Sequence, residues 1–597
     1  MRERVRQSGP VLPVDTPFVL LDDAREGGRQ MLYRDPVDCV VAVTPADVEP
    51  ALSRMRAAAA HGLHVAGWIG YDAGHALEPR LMPLAIHHLG GGLPLLWFGL
   101  FAEARQLDED ALPGLLPDPA GAWASEPQPL IVRSAYDDAL LRVKALIAAG
   151  DIYQANLSFR AVVAIEGHPL ALYARLREVS RAGWGGIVFD GANWLLSLSP
   201  ELFFRSDGTH VEARPMKGTA LRGRTPAEDD ANAARLAADP KERAENLMIV
   251  DLLRNDLSRV ARPGSVTVPA LFAVERYPTV QQMVSQVEAE LAPGRDAVDL
   301  IEALFPCGSI TGAPKLRAME IIAEVEADAR GPYTGAIGMI APDGRAAFNV
   351  AIRTLVLEEG ASEARIGLGS AVVADSTAEA EWRECLAKGA FVTAGQRAFD
   401  LIETMRFDPD DGICELERHL IRLGASATRF GFAFDRHGAR NELHAATFRV
   451  TMPSRVRLLL ARSGAVAIEV TPLPPAPETP LRVRIVSLPV DPTDFRLRHK
   501  TTDRAFYDAA RRGRDAFEVV FERHDGWLTE GSFTNLFVPS DGGLVTPPLA
   551  RGLLPGVLRA KLLERGDAIE GDVVAADLAG GFFVGNALRG LIPARLA

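Results

Sequence analysis

The stretch Thr393-Ala-Gly-Gln-Arg-Ala398 interrupts the hydrophobic patterning of the chain, and this break limits what it can fold into more than any other feature. At 597 residues the chain is too long for one hydrophobic core, since single cores stop growing at roughly 250–300 residues. The reading is of two domains, 1–392 and 393–597. A second break, Thr471-Pro-Leu-Pro-Pro-Ala-Pro-Glu-Thr-Pro480, has the proline density of an extended connector. It divides the second domain into a small subdomain, 393–475, and a large one, 481–597. In the first domain, residues 1–125 mix strand-like runs such as Phe18–Leu21 and Val40–Val43 with punctuation at Gly90-Gly91-Gly92 and a proline-rich loop from Pro113 to Pro129. Residues 126–392 carry helical periodicity over Ser134–Ala149, Ala238–Val260 and Ala378–Ala390. Between them lie strands such as Val211–Arg214, Ala347–Ile352 and Ala364–Gly367. The class expected is α/β, of the α+β kind.

The net charge of −13 leaves no electrostatic footprint for nucleic acid, although a local cluster of basic residues can still serve an anionic substrate. The four cysteines, Cys39, Cys307, Cys385 and Cys414, form no CxxC pair, which argues against zinc or a disulfide framework and fits a reducing cytoplasm. Met1–Pro10 lacks an apolar core of the kind a secretory signal needs, and the apolar run Leu95–Ala102 is too short to span a bilayer. A cytoplasmic protein with neither nucleic-acid nor membrane partners is expected.

Chemistry is suggested first by Lys217, in Arg214-Pro-Met-Lys-Gly-Thr219 at an apparent strand end. A lysine is a nucleophile only when deprotonated, so it needs burial or a neighbouring cation. Glu381 and Glu384, three apart on a helix, share a face, and Glu245 opens another helix, Glu245–Asp256. Carboxylates converging from two helices suit Mg²⁺, which keeps waters and joins an anionic ligand. Taken singly, each of these residues reads as an ordinary solvated side chain. Cys307–Lys315 lacks the spacing of a nucleotide-binding phosphate loop, but its glycines and Thr311 have donors for a carboxylate.

Ordered segments then carry a resemblance. They are Gly150–Leu157, Ser199-Pro-Glu201, Pro215–Thr219, Glu245–Asp256, Gly308–Lys315, Gly331–Gly338, Ala351–Thr354 and Gly367–Gly369. Over about 130–390 the chain resembles the chorismate-utilising enzymes, which include anthranilate synthase component I, aminodeoxychorismate synthase component I and the isochorismate synthases. Residues 1–125 look like the more variable N-terminal part of the same β-sandwich with surrounding helices. The resemblance implies Mg²⁺ on Glu245 and Glu384 with Glu381 beside them. It implies chorismate carboxylates held by Arg353, Tyr333 and the Gly367–Gly369 backbone, helped by Gly218, Thr219 and Lys388. Lysine at 217 resembles the aminodeoxychorismate synthases, in which it adds to the ring before ammonia does; anthranilate synthases usually carry alanine there. Gln282 stands where anthranilate synthases usually have histidine, a departure pointing the same way.

The second lysine, Lys500, lies in Leu497-Arg-His-Lys-Thr-Thr-Asp503, which alone reads as a solvated basic patch. Glu530 follows the apolar strand Val519–Phe521, and Pro547–Leu558 leads into a helix whose first amides suit a phosphate. Pyridoxal phosphate needs such a lysine, an acid at its ring nitrogen and a phosphate site. With Phe399–Arg406, Glu417–Leu423 and Gly585–Pro593, residues 395–597 resemble the fold-type IV pyridoxal phosphate enzymes. The resemblance implies attachment of the cofactor at Lys500, with Glu530 at its pyridine nitrogen. Its phosphate would lie on Arg422, the Val557 and Leu558 amides, and Asn586. The ending at Asn586–Pro593 looks most like aminodeoxychorismate lyase, on a scaffold that branched-chain and D-amino-acid aminotransferases share. The family's opening glycine-rich segment is absent before Glu403, which puts dimer contacts and substrate cover in question; a homodimer through this domain stays open. Together the two resemblances imply a bifunctional enzyme making 4-aminobenzoate for folate. An amino-acid transaminase or an inactive docking module for the second domain, and anthranilate synthesis for the first, are the alternatives. No cysteine sits in the glycine-flanked elbow of a glutamine amidotransferase, so a separate glutaminase subunit is expected.

Overall fold

A computed structural model describes residues 12, 15–85, 92–108, 110–277, 280–512 and 516–597. Met1–Pro10 and the Gly90-Gly91 part of the glycine run lie outside the described residues.

Among the described residues the first half is built on two sheets. One, of 11 strands, includes in spatial order Gln154–Glu166, Glu363–Val372, Thr354–Glu358, Asn193–Ser197, Gly185–Phe189, Phe18–Asp22 and Gln30–Arg34. The other, of 10 strands, includes Met216–Leu221, Val280–Glu290, His210–Ala213, Leu202–Ser206, Ala346–Val350, Ala336–Ile340 and His64–Ile69. Their inner faces meet through one buried cluster: Val19, Tyr33, Val188 and Leu195 from the first sheet pack on Trp68, Phe101 and Ile337 from the second. Each such side chain contributes about 1.5–3 kcal/mol of burial, enough to fix which face of each strand points inward. Helices Arg133–Ala148, Pro169–Ser180 and Ala378–Gly389 cover the outside of the first sheet. Helices Pro45–Ala60, Pro240–Ser258 and Ala297–Leu304 cover the outside of the second. The result is a β-sandwich wrapped in helices.

Two local readings need correction. The helix expected from Ala238 begins at Pro240, because the Asp239 side chain accepts from the amides of Lys241 (2.9 Å) and Glu242 (3.1 Å) and Pro240 takes the first helical position. Ala238 instead ends a separate helix, Pro226–Ala238. Residues 1–125, read as strand-dominated, also hold the 16-residue helix Pro45–Ala60.

The second half has a four-stranded sheet that includes Leu401–Asp408, Ser454–Leu460 and Val466–Pro472, backed by helices Leu416–Phe430 and Arg436–Thr447. An eight-stranded sheet follows, in which Leu481–Ser487 runs parallel to both Glu518–Glu522 and Gly590–Leu596. The halves share structure. Trp123, of the first half, is 2% exposed and belongs to the core of the four-stranded sheet, its ring edge-on to Phe430 at 4.9 Å. Arg429 reaches the carbonyls of Ile165 (2.8 Å) and Ser362 (3.1 Å), and Arg496 pairs with Asp118 at 2.7 Å. No described helix is long and apolar enough to cross a membrane.

Candidate active sites

Lys217 is not at a strand end: it is the second residue of Met216–Leu221, half-buried beside the long strand Val280–Glu290. The ladder slips there. Met216 pairs with Val284 and Thr219 with Gln282, so Lys217 and Gly218 together face the single residue Met283. A bulge of this kind re-aims a side chain, and Gly218 takes the turn at φ +93°, with Glu242 Oε2 only 3.0 Å from where a Cβ would sit. Burial pushes the Lys217 amine below the usual lysine range; Glu245, Glu201 and Glu384 pull it back up, while the Lys388 ammonium adds to the lowering.

Glu201 is the residue the sequence reading passed over as a site candidate. It is 4% exposed, accepts the Ser309 hydroxyl at 2.7 Å, and burial pushes its carboxyl up to about 7, against the stabilising hydrogen bond from Ser309 and the field of Lys217. The sequence did offer a signal. An acid directly before the apolar strand Leu202–Ser206 occupies a position that folding is bound to bury.

The carboxylates expected to hold Mg²⁺ are only partly convergent. Glu245 is raised by burial, and Asp375 and Glu381 add like-charge repulsion against the fields of Lys217 and Lys241. Glu381 accepts from Ser376 at 2.6 Å, and Glu384 pairs with Lys388 at 2.8 Å. Among the described residues no three acidic, histidine or cysteine side chains form a closed cage. Mg²⁺ does not need one: it retains waters and takes one or two carboxylates together with an anionic ligand, so the donor set fits the ion with substrate present.

Tyr333 lies flat against the first sheet. A Cβ on Gly367 would fall 2.1 Å from Tyr333 Cγ, and one on Gly369 would fall 2.9 Å from its hydroxyl, so glycine at both positions is what admits the ring. Lys388 Nζ donates to the Gly369 carbonyl at 2.9 Å, joining that backbone to Glu384. Arg353 adopts the left-handed conformation at φ +50°, a strained setting for a non-glycine residue. Its guanidinium lines a cavity with Met216, Pro200 and Gln282, and among the described residues it has no counter-ion; burial alone lowers its pKa. Thr219 donates to Gln282 Oε1 at 3.0 Å. Thr311, expected to donate to the substrate, directs its buried hydroxyl at the Cys307 and Gly308 carbonyls of its own loop, both at 3.2 Å.

In the second half, Lys500 follows the short helix Phe495–Arg498 and precedes Thr501, which bridges to Leu401. Burial pushes its amine down to about 7; Glu403 pulls upward, and Arg422, Arg504 and Arg457 push down. Among the described residues its Nζ has no hydrogen-bond partner. Glu530 accepts from the Tyr507 hydroxyl at 2.6 Å and the Leu554 amide at 3.1 Å, and burial raises it to about 7. The helix Val557–Arg565 has no side-chain cap at its N-terminus, which leaves its first amides for an anion. Gly556 is required before it, because a Cβ there would lie 1.8 Å from Asn535 Oδ1.

Arg422 reaches this terminus, donating to the Pro555 carbonyl at 3.0 Å, but its fork is also clasped by Glu403 at 2.9 and 2.6 Å. Glu403 is held further by His419 Nδ1 at 2.6 Å and lies far below the usual carboxylate range, as the Arg422 and His419 charges outweigh its burial. Asn586, expected at the phosphate, closes a turn: its amide donates to the Phe533 carbonyl and its oxygen accepts the Leu588 and Arg589 amides. The remaining donors, a partnerless lysine, a buried acid and an uncapped helix start, fit pyridoxal phosphate.

Comparisons with known proteins follow the same division. The family model described as chorismate binding enzyme matches residues 17–394, and that of class IV amino-transferases matches residues 400–597. An anthranilate synthase component 1 of Haloarcula marismortui is 37% identical over 56% of this chain and 73% of its own length. An aminodeoxychorismate synthase component 1 of Bacillus subtilis is 42% identical over 48% of this chain and 59% of its own length. The chain thus spans little more than half of some of these relatives. The crystal structure of anthranilate synthase component I from Streptococcus pneumoniae superimposes with a TM-score of 0.52 at 24% identity, over 66% of this chain and 95% of that one, a likeness of fold.

Proposed function

Because this chain belongs to the chorismate-binding enzymes and carries a class IV aminotransferase-like domain behind that core, we propose that it makes 4-aminobenzoate from chorismate in two steps. The observation that carries this reading is Lys217, an amine lowered by burial on a bulged strand, set in the field of a carboxyl at about 7, Glu201.

In the first step Arg353, with no counter-ion of its own, takes a substrate carboxylate. Mg²⁺ would be held by Glu245 and Glu384 together with a second carboxylate, and would neutralise charge there. Neutral Lys217 Nζ attacks ring C2, the double bonds shift, and the C4–oxygen bond breaks; Glu201 supplies the proton with which the hydroxyl leaves as water. Ammonia then attacks C4 and the C2–nitrogen bond breaks, returning the amine of Lys217. The ammonium proton passes to the Glu201 carboxylate. The product is 4-amino-4-deoxychorismate. The ammonia comes from a separate glutaminase subunit.

In the second step pyridoxal phosphate supplies an electron sink for eliminating pyruvate. Glu530 would hold its ring nitrogen, and the Val557 and Leu558 amides with Arg422 would hold its phosphate. Lys500, neutral above about pH 7, takes a proton and delivers one. Aromatisation drives the departure of pyruvate and leaves 4-aminobenzoate for folate synthesis.

The test is chromatography of the product from chorismate, Mg²⁺, ammonium and pyridoxal phosphate. Expected are 4-aminobenzoate and pyruvate in equal amounts. Accumulation of 4-amino-4-deoxychorismate alone would remove the second step, and keto-acid-dependent amino transfer would make that half a transaminase. Anthranilate, the product named for the Haloarcula relative, would overturn the first step. Activity with glutamine alone would overturn the separate glutaminase.

A further inference from the structure

Two buried carboxyls lie on neighbouring strands of the eight-stranded sheet, and their hydrogen bonds are divided unequally. Glu518, which opens Glu518–Glu522, accepts on Oε1 from the Val519 amide (2.9 Å), the Ser532 amide (3.0 Å) and the Ser532 hydroxyl (2.6 Å). On Oε2 it accepts from the Phe533 amide (3.2 Å) and the Thr534 hydroxyl (3.0 Å). The turn that follows Glu530 in the chain therefore gives its donors to the other acid. Glu530, in Leu528–Gly531, is served from elsewhere: Tyr507 Oη donates to Oε1 at 2.6 Å, and the Leu554 amide (3.1 Å) and Asn535 Nδ2 (3.4 Å) donate to Oε2. A carboxylate has about two acceptor positions on each oxygen, so the one left open is on Oε1, beside the phenol.

Tyr507 is held where it can only donate. It sits on the short helix Ala505–Arg511, just after Lys500 in the chain, buried in a cluster with Leu488, Leu497, Val519 and Phe521. Phe506 lies against its ring with centroids 4.1 Å apart, and Phe521 meets it edge-on at 5.7 Å. Burial and the Glu530 charge push the phenol well above its usual range, so its proton stays on the oxygen and faces the carboxyl. Arg504 covers the same ring at 5.0 Å while donating to the Ser532 carbonyl at 2.7 Å. The charged and titratable groups that act on Glu530 are thus Tyr507, Arg504 and Glu518. Burial and Glu518 favour its neutral form; the phenol, the Leu554 amide and the Arg504 guanidinium favour the carboxylate. These opposing effects leave its protonation sensitive to the loss of a single donor.

An acid at a pyridine nitrogen serves an electron sink only when ionised. A carboxylate holds a proton on that nitrogen, whereas a neutral carboxyl donates its own proton and leaves the ring uncharged. We propose that Tyr507 is the positioning residue that keeps Glu530 ionised and its Oε1 fixed, and thereby keeps the pyridine nitrogen of pyridoxal phosphate protonated. This rests on the reading above, in which the second half holds that cofactor with Glu530 at its ring nitrogen. Tyr507 acts through the acid and touches neither cofactor nor substrate.

Nitrogen NMR of the full chain loaded with ring-labelled pyridoxal phosphate tests this without turnover, because the shift of the ring nitrogen reports whether it carries a proton. In the wild type that nitrogen should stay protonated through neutral pH. Tyr507→Phe, which keeps the ring and removes the donor, should lower the pH at which the proton is lost by about one unit, the tenfold scale of one hydrogen bond to a charged group. A fluorinated tyrosine placed at 507, a stronger donor of nearly the same shape, should move that pH upward. Glu530→Gln should lower it further than Tyr507→Phe does, and adding Tyr507→Phe to Glu530→Gln should change nothing more. A titration indifferent to both changes at 507 overturns the proposal while cofactor capture stands. So does a Tyr507→Phe shift of equal size in the Glu530→Gln background. A wild-type chain that captures no cofactor by its visible spectrum, or a ring nitrogen indifferent to Glu530→Gln, overturns the underlying reading and the proposal with it.

Discussion

Lys217 and Lys500 reach a similar condition by opposite routes. Both are half-buried side chains whose amines desolvation holds below the ordinary lysine range. Around Lys217 the neighbouring charges are mostly carboxylates, Glu245, Glu201 and Glu384, which favour keeping its proton, with Lys388 opposing them. Around Lys500 the balance is reversed, with Arg422, Arg504 and Arg457 against Glu403. A lysine among acids becomes more reactive when those acids are neutralised by a proton or a metal, so its reactivity is conditional on what else is bound. A lysine among arginines is reactive before anything arrives.

Removing each amine breaks the comparison most sharply. Lys217→Ala should lower formation of the aminated intermediate by about 10³-fold or more, as expected when a covalent nucleophile is lost, with the second half still binding pyridoxal phosphate. Product chromatography and the visible spectrum of added cofactor check the two arms. Glu201→Gln should cost the first step about 10²–10³-fold. It should also change the pH profile: a proton donor titrating at about 7 loses its proton as pH rises, so the wild-type rate falls above that pH, and the variant should lack this alkaline limb. Gly367→Ala, whose Cβ would strike the Tyr333 ring, should raise KM for chorismate by about tenfold with a smaller change in kcat. Glu403→Gln sharpens the contrast. Removing the only carboxylate among the main charges on Lys500 should move the midpoint for cofactor capture down from about 7, by about one pH unit, read from the pH dependence of capture. Were that midpoint to rise instead, the arginines would not be what sets it.

Much of this was legible in the sequence, for physical reasons that differ by residue. The frames around Lys217 and Lys500 are local, and a strand next to a glycine is visible in four letters. The Gly367–Gly369 pair was legible in the sequence but its cause was not, because the need for glycine comes from the Tyr333 ring, more than thirty residues earlier in the chain. Glu201 escaped because its character comes from burial under Ser309, a partner 108 positions away. The local hydrogen bonds of Thr311 and Asn586 were hidden for the same reason in reverse: both side chains close turns of their own backbone, a local competition that spacing alone does not reveal. Glu403 was legible only as part of a strand; that it clasps Arg422 requires the helix Leu416–Phe430 to lie across that strand.

The bulge under Lys217 has a consequence for exchange at that position. With two residues facing one, the side chain at 217 is released from the cross-strand pairing that constrains its neighbours Met216 and Thr219. Exchanging it disturbs no register and empties no core. A scaffold with one such unpaired position can exchange the functional group offered there through a single codon, while the strand pairing on either side stays as it is.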